Sequence, residues 1–364
     1  MLINTSKKNK IVLSINSLQG AGAERFVLTI GRAFHQLGFD VHVLRFDPKV
    51  EFSLDNNLTY HLIDYERYRW LPKGRVRNTI LAKKVDSYIA KYIGKPILLL
   101  SNLERSDNIF CYSQLPNIVY VVHSTLSLYY EFDQIDDVDK LKSKIKNVYS
   151  KHLCVCVSDG VKSDLLKCIG NTDSVRAIHN PTDRDEAKRL AELFIPEYQD
   201  YIVHVGSFKK AKRHDILLKA YAQTDQSMSL LLIGQGKLKE DIEKLIIELG
   251  IGHKVTLLGF CENPYPYIKH AQFKVLTSDR EGCPMVIPEA LALGTPVIST
   301  DCESGPREML PEKNLMPIND INAIANKLTQ AMENSQQFYT PFDEGLLPTV
   351  IAQKYLQVVQ YNVS

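Results

Sequence analysis

The sequence predicts an α/β protein of two doubly wound parallel domains, on three observations. Short β-branched and apolar runs alternate with stretches of helical apolar spacing, the pattern of parallel strands joined by crossover helices. The alternation breaks at Asn180-Pro181-Thr182-Asp183 and resumes at Tyr201. A chain of 364 residues is long for one hydrophobic core and sufficient for two.

In the first half, Lys10 to Asn16 reads as a strand and Ala23 to Leu37 as the helix after it. Strand Asp40 to Phe46, helix Val76 to Ile93 and strands Pro96 to Ser101 and Asn117 to His123 follow. Lys140 to Tyr149 has helical spacing, and His152 to Val157 reads as another strand. Ser158 has the side chain to cap a helix running through Cys168, and Val175 to His179 closes the series. Proline at 181 cannot continue a ladder and holds Asn180 out of the helical region, so a boundary falls there. Domains of residues 1–180 and 181–346 are expected. An acidic helical linker leads into the second half. Strands are expected at Tyr201 to Val205, Met228 to Ile233, Lys254 to Leu258, Phe273 to Leu276 and Pro296 to Thr300. Helices are expected at His214 to Ala222, Lys237 to Leu249, Pro288 to Leu293 and, last in the chain, Thr349 to Tyr361. Two such sheets place their ligand loops at the carboxyl ends of the strands.

Apolar residues make up 45% and charged residues 24%, as in ordinary globular proteins. No stretch is long and apolar enough to cross a bilayer, and Met1 to Lys10 lacks an apolar signal core, so a cytoplasmic protein is expected. The seven cysteines are odd in number and scattered, with Cys154 and Cys156 inside a strand. This favours reduced, packed thiols, with no metal site and no cofactor expected. The charge is nearly balanced at +2 and no helix-turn-helix, finger or RNP pattern is present, so nucleic acid is not an expected partner. Arg67, Arg69, Lys73, Arg75, Arg77, Lys83 and Lys84 nonetheless surround Tyr65, Tyr68, Trp70 and Leu71. Residues 65–84 fit either a solvated helix face or peripheral contact with an anionic membrane, at about 1 kcal/mol per cation near the surface.

The chemistry concentrates in a few loops. Glu281-Gly282-Cys283-Pro284-Met285-Val286-Ile287-Pro288-Glu289 places two carboxylates eight apart across a turn and into a helix, where both can face one pocket. Carboxylates accept hydrogen bonds from sugar and ribose hydroxyls, and a helix start suits a diphosphate, so the string fits a sugar nucleotide. Either glutamate taken alone reads equally well as a solvated surface residue. After Val205, the stretch Gly206, Ser207, Lys209, Lys210, Lys212, Arg213 sets four cations before a helix. Cations there oppose the helix dipole, so an anion that neutralises them is implied, unless the loop is simply solvated. Gly20-Ala21-Gly22-Ala23-Glu24-Arg25 opens the first helix and is a weak dinucleotide fingerprint without its third glycine; Gly234-Gln235-Gly236 follows a later strand, also without a third glycine, and is unspecific alone.

The string from Glu281 to Glu289, continued by Asp301-Cys302-Glu303-Ser304-Gly305-Pro306-Arg307-Glu308, resembles the Glu-x7-Glu signature of the retaining glycosyltransferases of family 4 and the segment that follows it in members building bacterial surface polysaccharides. That resemblance implies the GT-B fold, two facing Rossmann-like domains with a cleft between them, and a final helix, residues 347–364, returning to the first domain. It implies a nucleotide sugar, most readily a UDP-sugar, as donor and a glycan or lipid-linked saccharide as acceptor. On the positions that match, Lys212, in the loop after Gly206, grips the donor diphosphate. Ser207 stands where the family has an arginine, so either Lys209 or Arg213 compensates, or the diphosphate is held mainly by Lys212 and the amides of Gly282 and Cys283. Glu281 holds sugar hydroxyls and Glu289 the ribose, with Pro284, Met285 and Val286 between them. Gly234 and Gly236 lie near the base. The loop Gly20, Ala21, Gly22, Glu24, Arg25 lies at the cleft between donor and acceptor, and His123 sits against the donor sugar. Glu281, Lys212 and His123 are therefore the expected catalytic set. A peripheral location on the inner face of the cytoplasmic membrane would follow. Two rival readings are a sugar-nucleotide 2-epimerase of similar architecture and a non-catalytic scaffold.

Overall fold

The structure, a computed structural model, describes residues 8–19, 22–51 and 53–360. The chain divides into two compact units. One runs to Pro181 and takes in the segment from Gly345; the other is Thr182–Glu344.

The first unit carries β1 (Lys10–Ile15), α1 (Gly22–Gln36), β2 (Asp40–Arg45), β3 (Thr59–Leu62), α2 (Arg75–Tyr88), β4 (Leu98–Asn102), α3 (Glu104–Phe110) and β5 (Ile118–Val122). It continues with α4 (Leu126–Tyr129), α5 (Val138–Tyr149), β6 (Leu153–Cys156), α6 (Asp159–Ile169) and β7 (Val175–Ala177). Its seven strands are ordered β3-β2-β1-β4-β5-β6-β7 and pair in parallel. The strands β4 and β5 are buried throughout, which is why Leu98-Leu99-Leu100 and Ile118 to Val122 read as continuous apolar runs. Strand order reverses between β1 and β4, so the loops leaving β1, β4 and β5 gather at the switch point, where such sheets bind ligands.

The second unit contains α7 (Arg184–Ala191), β8 (Tyr201–Val205), α8 (His214–Tyr221), β9 (Ser229–Ile233), α9 (Lys239–Glu248), β10 (Val255–Gly259) and α10 (Tyr265–Lys269). After these come β11 (Phe273–Leu276), α11 (Val286–Ala292), β12 (Val297–Thr300), α12 (Pro306–Met309), β13 (Leu315–Met316) and α13 (Ile321–Glu333). The six parallel strands are ordered β10-β9-β8-β11-β12-β13, with the switch between β8 and β11. One face packs Leu217, Leu230, Phe273, Ile298 and Leu328; the other packs Val203, Leu231, Leu276, Ile287 and Leu291. The last helix, α14 (Pro348–Gln360), belongs to the first unit, where Tyr355 meets Phe26 of α1 edge to face with ring centroids 6.0 Å apart.

Several expectations need correction. The helix expected over Val76 to Ile93 ends at Tyr88, and its last turn widens to a π-turn, Ile89–Ile93, closed by Gly94 N–H donating to Ile89 O at 2.7 Å. Gly94 at φ 105° provides the exit. The strands β3 and β13 and the helices α3, α10 and α13 had no counterpart in the sequence reading. The seven cysteines are all free thiols.

Candidate active site

The loops leaving β8 and β11 meet at the switch point of the second unit. After β8, Lys210–Lys212 form a 3-10 turn and Arg213 takes a left-handed conformation, φ 50°, to start α8. After β11, Thr277 Oγ1 donates to the carbonyls of Lys212 and Arg213, each at 3.2 Å, and Asp279 N–H donates to Ala211 O at 3.0 Å. The two loops are therefore one rigid piece, and Lys212 Nζ donates to Glu281 Oε1 at 2.5 Å. Ser278 Oγ donates to the same oxygen at 2.6 Å, while Ser304 Oγ fixes the Glu281 backbone carbonyl at 2.5 Å. Both side-chain bonds fall on Oε1, so Oε2 stays available as an acceptor. The pair is largely buried, with side chains 22% and 11% exposed, and the ammonium keeps two further donors.

Gly206 lies under the Lys212 stem: a Cβ there would stand 3.6 Å from Cδ. Gly234 and Gly236 serve close packing of the chain on itself, since added Cβ atoms would come within 2.0 Å of Gly206 O and 2.4 Å of Phe208 O. That approach is what lets Gly206 N–H donate to Ile233 O and Phe208 N–H to Gln235 O, both at 2.9 Å. Gly305, at φ 93°, likewise packs against Pro284. Gly282, Cys283 and Pro284 lie in the loop ahead of α11, Met285 is its N-cap and Val286 its first residue.

Of the two cations expected to stand in for an arginine at Ser207, Arg213 is engaged inside the unit. Its guanidinium donates to both carboxylate oxygens of Asp215 at 3.0 Å and to Asn319 Oδ1. Lys209 is exposed.

Glu289 lies on α11 and is 6% exposed; Tyr265 OH donates to its Oε1 at 3.3 Å. Beneath it is a residue the sequence reading missed. Lys274, in the central strand β11, is fully buried and its Nζ has no hydrogen-bond partner. Burial pushes its pKa down to about 7, opposed by the attraction of Glu289. The signal was in the sequence, as a lysine inside an apolar run that reads as a central parallel strand.

His123 lies in the other unit, at the end of β5. Its Nε2 meets Asn102 Oδ1 at 2.8 Å. The Asn102 amide donates to the carbonyls of Ser14 and Leu100, which points its oxygen at the histidine and assigns the imidazole proton to Nε2. Burial lowers the His123 pKa to about 3, so the ring is neutral with Nδ1 as an acceptor. The ring borders a cavity of about 690 Å³ whose wall includes Tyr65, Arg69, Lys73, Arg105 and Tyr130. Gly20 and Ala21 lie outside the described residues. Gly22 starts α1, Arg25 is exposed, and Glu24 is buried with its Oε2 unbonded and its pKa raised by that burial.

The basic segment 65–84 is not uniform. Arg77 is buried, donating to the carbonyls of Arg69 and Leu71 and lying over the Tyr65 ring, so it is a structural staple and not a surface cation. Arg67 and Arg69 pair with Asp64 and Glu66 at 3.5 and 2.6 Å. Lys73, Arg75, Lys83 and Lys84 are exposed, beside Trp70 at 80% and Val76 at 53% exposure. Among the described residues no group of three or more histidine, cysteine or carboxylate side chains is placed to hold a metal ion, and no helix is long and apolar enough to cross a membrane.

The family model for glycosyltransferase family 4 matches residues 20–186, and that for glycosyl transferases group 1 matches residues 185–343. The chain is 26% identical over 351 residues to the N-acetylgalactosamine-N,N'-diacetylbacillosaminyl-diphospho-undecaprenol 4-alpha-N-acetylgalactosaminyltransferase of Campylobacter jejuni, covering 90% of this chain and 91% of that one. It is 29% identical over 166 residues to the lipopolysaccharide 1,6-galactosyltransferase of Salmonella typhimurium, covering 43% and 45%. Its fold is similar to that of Anabaena HepE in complex with UDP and glucose, with a TM-score of 0.72, 16% identity and 98% of both chains covered. The lipopolysaccharide outer core galactosyltransferase WaaB in its apo form superposes with a TM-score of 0.72 at 18% identity, covering 98% of this chain and 100% of that one. With two parallel α/β units in the GT-B class and two family models that together run from residue 20 to 343, the chain belongs to the family 4 glycosyltransferases, its second half being the group 1 domain.

Proposed function

We propose that this glycosyltransferase moves a hexose or N-acetylhexosamine from a UDP-sugar to a glycan or lipid-linked saccharide in bacterial surface-glycan synthesis, with retention at the anomeric carbon. The observation that carries the reading is the Lys212–Glu281 pair, locked between two loops at the switch point of the second unit. The activities for which the Campylobacter and Salmonella relatives are named and the UDP bound to HepE favour this donor and acceptor class.

The two remaining donors of Lys212 and the amides of Gly282 and Cys283 would hold the diphosphate, with Lys209 beside them. Glu281 Oε2 would accept from sugar hydroxyls and Glu289 from the ribose. As the bond between the anomeric carbon and phosphate oxygen breaks, negative charge grows on the diphosphate, and a preorganised ammonium stabilises it. The acceptor hydroxyl attacks from the same face and passes its proton to the departing phosphate oxygen. The cavity beside His123 would receive the acceptor, where neutral Nδ1 orients a hydroxyl without competing for its proton. Exposed Lys73, Arg75, Lys83, Lys84 and Trp70 would rest on the anionic inner leaflet, bringing a lipid-linked acceptor within reach.

The experiment is a panel of UDP-, GDP- and ADP-sugars incubated with a lipid-linked saccharide, the product's anomeric configuration being read by NMR coupling constants. A UDP-sugar alone turned over, with retained configuration, is the expected result. Inversion, or transfer from a purine nucleotide only, contradicts it; a new epimer formed without acceptor favours the epimerase.

A further inference from the structure

Lys274 is an anomaly for the fold. A central parallel strand is buried on both faces, and an unpaired ammonium there costs several kcal/mol in ordinary proteins. Its backbone is fully used in the sheet, with N–H donating to Pro296 O at 2.8 Å and register partners Val203 and Val297, so the backbone places the side chain inside. The ammonium is completely buried and forms no hydrogen bond. The charged and titratable groups facing it are Glu289 from α11, Lys212 from the loop after β8 and His204 on β8. Glu289 attracts it and Lys212 repels it. His204 donates through Nδ1 to Val275 O at 3.0 Å, and burial keeps its pKa well below the ordinary value, so that ring is neutral.

We propose that Lys274 is a positioning residue for Glu289, a buried counter-charge whose protonation sets the affinity of the donor site for the nucleotide sugar. The inference rests on the reading of Glu289 as the ribose ligand. With Lys274 charged, its attraction compensates the carboxylate of Glu289, to which Tyr265 OH also donates, and the whole site is more favourable for an anionic diphosphate. With Lys274 neutral, the buried carboxylate loses that attraction. Because the lysine's pKa is depressed to about 7, the exchange between these states falls in the neutral range.

The test is calorimetric binding of UDP-glucose, whose diphosphate diester carries no group titrating in this range. Wild type, Lys274→Met and Glu289→Gln are compared at about pH 6 and about pH 8. Wild type is expected to bind about threefold to tenfold more weakly at the higher pH. Lys274→Met, an unbranched apolar residue one atom shorter, is expected to fold and to bind with no such slope; Glu289→Gln is expected to bind weakly at both. His204 and His214, whose pKa values burial lowers, the latter to about 4, do not titrate in this window. A Lys274→Met protein that keeps the wild-type slope while Glu289→Gln binds weakly overturns the role of Lys274 alone. Wild-type affinity in Glu289→Gln overturns the ribose assignment and this inference with it. A lysine that only fills the core would change the melting temperature on substitution and leave the slope intact.

Discussion

Lys212 and Glu281, 69 residues apart in sequence, share an oxygen-to-nitrogen contact of 2.5 Å at the point where strand order reverses. Each comes from a different loop, and each loop is tied to the other by backbone and threonine hydrogen bonds that do not involve the pair's side chains. The ion pair is thus a consequence of a scaffold built independently of it, so substitution at either residue should alter ligand chemistry more than folding.

Arg213 and Lys209 should behave differently although both are cations of the same loop. Arg213→Gly relieves a left-handed residue costing roughly 1 kcal/mol and loses half-exposed bonds to Asp215 worth about as much, so stability should change by less than about 1 kcal/mol. Its affinity for a UDP-sugar should be unchanged, whereas Lys209→Ala should lose about tenfold. Calorimetry on the two variants decides which cation does the work of the missing arginine at Ser207.

Stability should rise with pH through the alkaline range because of Lys274. Its folded pKa of about 7 lies below the unfolded value near 10.4. Between those values the unfolded chain binds the extra proton, and stability increases as pH rises. Denaturant melts should show Lys274→Met more stable than wild type by an amount that shrinks by roughly 3 kcal/mol between about pH 6 and about pH 9. A constant difference would mean that the lysine is not held in a depressed state.

Gly236→Ala should be among the most damaging changes outside the ligand groups. The new Cβ would stand 2.4 Å from the Phe208 carbonyl oxygen, and backbone on backbone contact has no flexible partner to yield. A loss of about 2 kcal/mol or more is expected in thermal or urea unfolding.

The basic segment separates into structure and surface. Arg77→Ala would strand the buried carbonyl of Leu71 and that of Arg69, with an expected cost of about 2–4 kcal/mol. The double change Lys83→Ala with Lys84→Ala should leave melting unaltered but lower partitioning onto phosphatidylglycerol vesicles by about tenfold or more, at roughly 1 kcal/mol per cation. Equal vesicle binding by this variant and wild type would count against a membrane role for α2.

The legible parts of the fold were those whose local signals agreed. Tyr201–Val205 is a β-branched and aromatic run with burial to match, and Ser158 bonds the Val161 amide at 3.1 Å as a capping serine should. The strand Thr59–Leu62 was not legible because it sits at the sheet edge and its four residues are polar or half-exposed. The helix Ile321–Glu333 went unread although its signals are local, with Asp320 capping the Ala323 amide and Ile324, Ala325, Leu328, Ala331 and Met332 on one buried face. Among site residues, the carboxylates at 281 and 289 and Lys212 carried a family string. Arg77 did not show its role, since its burial depends on carbonyls brought in from other elements, and Lys274 showed its burial through the apolar run around it but not its partner Glu289, which another element supplies. The glycines at 234 and 236 were placed near the base by the resemblance, and their spacing is demanded by the neighbouring loop at Gly206 and Phe208.

The most direct test of the central claim is the affinity of the protein for a UDP-sugar with Lys212 intact and with Lys212→Ala, measured by calorimetry alongside a thermal melt. The account predicts an unchanged fold and binding weakened by roughly tenfold to a hundredfold, the worth of a charge-assisted contact to a diphosphate. Undiminished binding in Lys212→Ala would contradict it and move the donor away from the Lys212–Glu281 pair.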